Sequence, residues 1–308
     1  MSAADITPIW LATARYLIYL STLVVIGALG ARVVVQGTRF LAPDRTGTIV
    51  ATRVARTGFL GAVGLACSAL FLLAGMAFAW FGPSALGELD RTKAMVFGTA
   101  WGVSWQRVVT SAAIAAAAGA IAWRWRVIRG PVALGVAIMI SLTVPLLGHG
   151  GTHGTRVWIF HAIHLLGSGL WLGTLAVLAR ATWPVWRDDA PVLSTLRGLL
   201  RAFSPLAFLG AALAIVSGLL LSYQHVDPLD ALTTTEYGQT VMIKVAAVLL
   251  VAVLGFLNYR RHRGPLTSPA DRRWLRRLAV LEAALALIVI LALTAWLTGL
   301  PVPHELED

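Results

Sequence analysis

Histidine side chains are concentrated in one short stretch of this sequence. His149 and His153 lie in a glycine-rich turn, and His161 and His164 follow within the same 16 residues. An i, i+3 spacing places His161 and His164 on one face of a helix. Imidazole binds copper, zinc, nickel and iron, and the intrinsic order of affinities favours copper without selecting it uniquely. The four residues, with His225 as a fifth candidate ligand, therefore predict a metal site. The alternative is that His149 and His153 are solvated loop residues and His161 is an interfacial residue.

Haem b is a second interpretation of the same histidines. Histidines at helix ends can serve as axial ligands of haem, and cationic side chains can meet its propionates. His164 and His225 form the obvious pair, with His225 at the very end of its span. A third alternative is a non-catalytic accessory subunit of a membrane complex. The residues predict a binding or transport protein and no enzyme, with redox activity left open.

Four ionisable residues fall inside apolar segments. They are Arg15, Arg107, Lys244 and Glu282. A charged side chain in a membrane is costly unless it faces the bundle interior or extends to the interface. We expect Arg107 and Lys244 to face the interior. Glu282 either has an intramembrane role or pairs with one of the arginines one to two turns before it.

The composition sets the class of protein that must position these residues. Apolar side chains make up 58% of the 308 residues, charged ones 13%, and the mean hydropathy is +0.78. Soluble domains carry about 25% charged residues. The sequence therefore predicts an all-α, polytopic integral membrane protein in contact with the lipid bilayer. The net charge of +11 does not indicate nucleic-acid binding, because most of the basic residues fall in loops predicted to face the cytoplasm.

Eight apolar stretches are long enough to be considered as membrane spans. Nineteen of the 25 Lys and Arg residues lie in loops on one side of these spans. The positive-inside rule then places both termini outside the cytoplasm, in a bacterial inner membrane. The predicted spans are Ile9–Val35, Thr57–Phe81, Gly98–Trp123, Val132–Leu147, Trp158–Ala179, Phe203–Tyr223, Thr240–Leu257 and Leu278–Leu300.

A short pattern occurs twice along the chain. Thr99-x-Trp-Gly102 leads the third span and Thr235-x-Tyr-Gly238 leads the seventh, each followed by a basic residue. This echo is compatible with a parallel repeat of two four-helix units about an axis along the membrane normal. The units would be residues 1–150 and 151–308 of one integral membrane domain.

Three stretches of the second half resemble the copper resistance protein D (CopD) family, which also occurs in the membrane part of YcnJ-type copper uptake proteins. The segment from His161 to Gly173, with Trp171, resembles the family's HxxxxxxWxG core. Tyr237 and Lys244 belong to a stretch that resembles its TxYG…K…LGxxNxR signature. The last helix, with Glu282, is also similar.

The resemblance implies an inner-membrane protein that brings copper of unspecified valence from the periplasm toward the cytoplasm, often beside a periplasmic copper-binding partner. It makes His161 and His164 part of the copper site. Trp171 and Tyr237 are family-pattern residues without an assigned role. No series of ligands continues inward from the histidines, so translocation is implied by the family alone.

Overall fold

The computed structural model describes residues 3–39, 45–83, 87, 89–125, 130–148, 154–183, 191–226, 230–262 and 269–300. The chain in these ranges is almost entirely helical and contains no strand. The helices are α1 (Ala3–Arg39), α2 (Arg45–Phe81), α3 (Leu89–Gly98), α4 (Ala100–Trp125), α5 (Gly130–Thr143), α6 (Gly154–Ser168), α7 (Thr174–Thr182), α8 (Pro191–His225), α9 (Ala231–Thr234), α10 (Glu236–His262), α11 (Pro269–Ala284) and α12 (Leu291–Leu297).

Each of the eight predicted spans falls on a helix of the structure. Six helical segments of the described chain are long and apolar enough to cross a membrane. The third predicted span is α4, and the fourth is the shorter apolar helix Pro131–Leu147, whose last turn is a 3-10 helix; neither is among the six. The all-helical, polytopic class is therefore confirmed, while the count of eight crossings and the outside position of the termini stay predictions.

Two short π-helical segments interrupt the spans of the second half. Gly169–Gly173 joins α6 to α7, and Leu285–Ile290 joins α11 to α12. In a π-helix the i→i+5 pattern frees a backbone carbonyl, and such segments occur often at functional sites. The Tyr16 hydroxyl of α1 donates to the carbonyl of Leu287 over 3.0 Å, so a neighbouring helix satisfies one of these carbonyls.

Helix α1 is the centre of the bundle. It packs against α2, α5, α7, α8, α12 and the π-helical segment 169–173. At its crossing with that segment, Gly27 meets the backbone of Gly173, and a Cβ on Gly173 would overlap the carbonyl oxygen of Leu23. Small residues allow membrane helices to approach this closely. Glycines here thus serve helix contact, and α1 joins the two predicted halves.

The repeated Thr-x-aromatic-Gly pattern is a helix start with the same geometry in both places. The Thr99 hydroxyl donates to the carbonyl of Met95 and accepts from the Gly102 amide, over 2.7 and 2.9 Å. The Thr235 hydroxyl does the same with Ala231 and Gly238, over 2.6 and 3.1 Å. The hydroxyl satisfies one of the unpaired amides at a helix N-terminus.

Gly102 and Gly238 leave no room for a side chain, because the preceding short helix lies directly against them. A Cβ at Gly102 would overlap carbonyl oxygens of α3, and one at Gly238 would overlap the carbonyl oxygen of Ala231 in α9. A short helix therefore folds back tightly onto the start of the span that follows it, in each half. The local echo is a shared structural motif, whereas the repeat of two four-helix units stays a prediction.

Candidate metal site and intramembrane polar residues

His164 is held by α8 in a defined orientation. Its Nδ1 lies 2.8 Å from the carbonyl oxygen of Ala214, and the Ser217 hydroxyl is 3.4 Å from the same nitrogen. A carbonyl oxygen can only accept, so Nδ1 carries the proton of the neutral imidazole and the lone pair lies on Nε2. Histidines that bind metals commonly use this arrangement, in which one ring nitrogen donates to a backbone carbonyl and the other is the ligand.

Gly218 provides the space for the His164 ring. A Cβ at this position would lie 3.0 Å from Cε1 and 3.2 Å from Nδ1 of the imidazole. Gly218 is one helical turn beyond Ala214, so the same face of α8 supplies both the acceptor and the space. The two residues fix the plane of the ring as well as its tautomer.

His161 lies one turn before His164 on α6, as predicted, and is half-buried. His149 and His153 lie outside the described residues. His225 is the last residue of α8, and its side chain also lies outside the described part. Within the described part, no three His, Cys, Asp or Glu side chains form a group that could hold a metal ion. The five-histidine cluster thus stays a prediction, with the orientation of His164 as its structural basis.

The two intramembrane cations that were expected to face the interior differ in position. Lys244 on α10 is half-buried. Arg107, in contrast, is exposed on the outside of α4, contrary to the expectation that it faces the interior. The buried side of α4 is formed by Val108, Ala112 and Ala115 at helical spacing, which turns the preceding residue outward.

Arg15 lies on α1 near the end of the last span. It is half-buried beside Tyr19, and a Cβ at Gly299 would lie 2.9 Å from its Nη1. The guanidinium therefore packs on the turn that follows α12. The backbone turn and Tyr19 thus cover part of this side chain.

The aromatic family-pattern residues have structural positions. Trp171 is 6% exposed and packs in a core cluster with Val251, Ala286 and Ile290, which joins the first π-helical segment to α10 and to the second. Tyr237 is half-buried in the capping motif at the start of α10. Trp171 therefore holds three elements together around the site.

Glu282 is deeply buried on α11, at 3% exposure. Its Oε2 accepts a hydrogen bond of 3.2 Å from Nδ2 of Asn258 on α10. Arg276 and Arg277 are the two arginines that were considered as its partners. Arg277 is exposed, and the side chain of Arg276 lies outside the described part. Sequence reasoning did not connect Asn258 with Glu282. The available signal was that Asn258 is the only asparagine in the sequence and directly follows the predicted span Thr240–Leu257.

These features define a polytopic helical membrane protein with an oriented histidine and a separate buried carboxyl in its second half. Residues 197–297 match the family model described as Copper resistance protein D, which confirms the resemblance to that family. The matched segment begins in α8 and ends with α12. It includes Tyr237, Lys244 and Glu282 and begins after the histidine pair of α6.

One curated relative is the Copper transport protein CutJ of Bacillus subtilis (strain 168). It is 29% identical over 143 residues, which are 46% of this chain and 25% of that protein. The chain thus matches about a quarter of the length of this relative. No solved structure matches the chain.

Proposed function

We propose that this protein binds copper at the external face of the bacterial inner membrane and transports it toward the cytoplasm. The observation that carries the proposal is the orientation of the His164 ring. Its Nδ1 donates to the carbonyl oxygen of Ala214, so the lone pair of the neutral ring is on Nε2. The family match and the name of the CutJ relative support copper as the metal. Transport, and no enzymatic reaction, is the activity that both suggest.

His161 and His164 form the inner part of the proposed site. His149 and His153, on a glycine-rich turn, would close over it from outside, and His225 ends the helix that holds His164. Copper would arrive from a periplasmic copper-binding partner. Lys244 is a half-buried cation within a span, and its positive charge argues against an open cation channel and supports delivery of copper together with anionic ligands.

Copper binding by the purified protein in lipid nanodiscs tests the proposal. We expect stoichiometric binding in the wild type and loss of binding in a His161→Ala, His164→Ala double variant. His262→Ala is the matched control, because this histidine is the last residue of α10, next to the basic loop and not part of the proposed site. Wild-type affinity in a folded double variant would remove the helix pair from the site.

The visible spectrum of the same preparation decides between copper and haem b. Copper handling predicts a preparation without a Soret band, whereas a haem-binding redox protein would show one. A Soret band that disappears in His164→Ala would replace the copper proposal with the haem alternative.

A further inference from the structure

Glu282 is buried on the last span, against the neighbouring span α10. It is five residues from Arg277, where the apolar segment of the last span begins. On the neighbouring helix, Gly255 faces the carboxyl so closely that a Cβ there would lie 2.9 Å from Oε1. The position combines a glycine that provides space and a carboxyl that fills it. A side chain without charge would meet the packing requirement equally well, so packing does not explain the acid.

The partner of this carboxyl is neutral. Asn258 is 7% exposed, and its Nδ2 donates to Oε2 of Glu282. Its Oδ1 is buried and has no hydrogen-bond partner among the described residues. A buried acceptor without a donor is unfavourable, and an amide does not compensate the charge of a carboxylate. Both defects disappear if Glu282 carries a proton, because the acid then is neutral and offers an O–H donor beside the amide.

No described charged group on the elements packed against α11 is placed to compensate the charge of a Glu282 carboxylate. These elements are α7, α10 and the π-helical segment 285–290, which has no titratable residue. Lys244 of α10 is 14 residues from Asn258, about 21 Å along the helix. Four arginines on these elements are exposed: Arg180 of α7, Arg260 near the inner end of α10, and Arg273 and Arg277 of α11 itself. The other described titratable groups are Tyr259, also near the inner end of α10, and Glu236 and Tyr237 at its opposite end.

We propose that Glu282 and Asn258 form an intramembrane proton-binding site, in which the neutral acid of Glu282 donates to Oδ1 of Asn258. When the site empties, the O–H bond breaks, the electron pair stays on the carboxylate and the proton leaves to water at the basic face of the membrane. A carboxyl inside a membrane that is neutral at rest can compensate the charge of a cation that moves past it. Coupling of proton release to copper movement rests on the proposed function, whereas the proton site itself does not.

Infrared spectroscopy of the full chain in lipid nanodiscs tests the resting state. At neutral pH, we expect a carbonyl band of a protonated carboxyl that shifts in heavy water and is lost in Glu282→Gln. Glu236→Gln is the matched control, because Glu236 is an exposed carboxyl at the opposite end of α10, and this variant should keep the band. Asn258→Leu should keep the band at a shifted frequency. Absence of the band in the wild type, or its persistence in Glu282→Gln, would overturn the proton site.

Proteoliposomes with trapped pH and copper indicators test the coupling. We expect Glu282→Gln to bind external copper with wild-type stoichiometry and to lose copper-dependent proton movement. Proton movement equal to that of the wild type would overturn the coupling. If the wild type binds no copper at all, the proposed function fails, and the infrared band still decides whether Glu282 holds a proton.

Discussion

Replacing Gly218 with alanine should weaken copper binding without removing a ligand. The added Cβ would lie 3.0 Å from Cε1 of His164, where ordinary contact begins at 3.4 Å, so ring or backbone must move by about 0.4 Å. The ring is tied to the carbonyl of Ala214 by a bond of 2.8 Å. A displacement of this size along that bond would lengthen it to about 3.2 Å, the limit of a good hydrogen bond.

The expected loss follows from the role of that bond. Partners that orient a ligating histidine contribute about 10- to 100-fold to metal affinity. Because the hydrogen bond is lengthened and not removed, the loss of metal affinity should be at the lower end of this range. We therefore expect about tenfold weaker copper binding, or about 1.4 kcal/mol. The fold should survive, because alanine also stabilises a helix by about 1 kcal/mol relative to glycine.

Calorimetric titration with a competing chelator measures the effect. Gly135→Ala on α5 is the matched control, because a Cβ there meets nothing within 4 Å and the variant gains the same helix propensity. Equal copper affinities of the wild type and of both variants would refute the reasoning, since the orientation of the His164 ring would then have no influence on copper affinity.

Three other expectations follow from the sequence and the fold. A reporter that is active only outside the cytoplasm should be active when fused after Asp308 and silent when inserted in the loop within residues 260–277; the opposite pattern would reverse the orientation. Thr235→Val should lower the free energy of unfolding by about 1 kcal/mol, through loss of the helix cap, as measured by thermal unfolding in detergent. Gly173→Ala should abolish the folded, detergent-stable protein because its Cβ overlaps the carbonyl oxygen of Leu23, and normal yield and melting temperature would contradict that account.

The membrane class and the approximate positions of the helices followed from the sequence alone. Hydropathy and length act locally, and a segment in lipid must satisfy its backbone hydrogen bonds within itself, so an apolar stretch of about 20 residues predicts a helix. The i, i+3 pair on α6 was predictable for the same reason. The family motifs identified Tyr237, Lys244 and Glu282, and the family match includes all three.

The orientation of side chains between helices required the tertiary structure. In a uniformly apolar span, hydropathy does not show how the helix is rotated about its axis. For this reason the sequence could not show that Arg107, expected inside the bundle, lies on its surface. The partners of His164 and Glu282 are likewise a backbone carbonyl and an amide on other helices, distant in sequence by 50 and 24 residues. Contacts of this kind depend on which helix faces pack together. That packing is decided by the whole bundle, including Gly27 and Gly173, which let α1 approach the π-helical segment 169–173 closely.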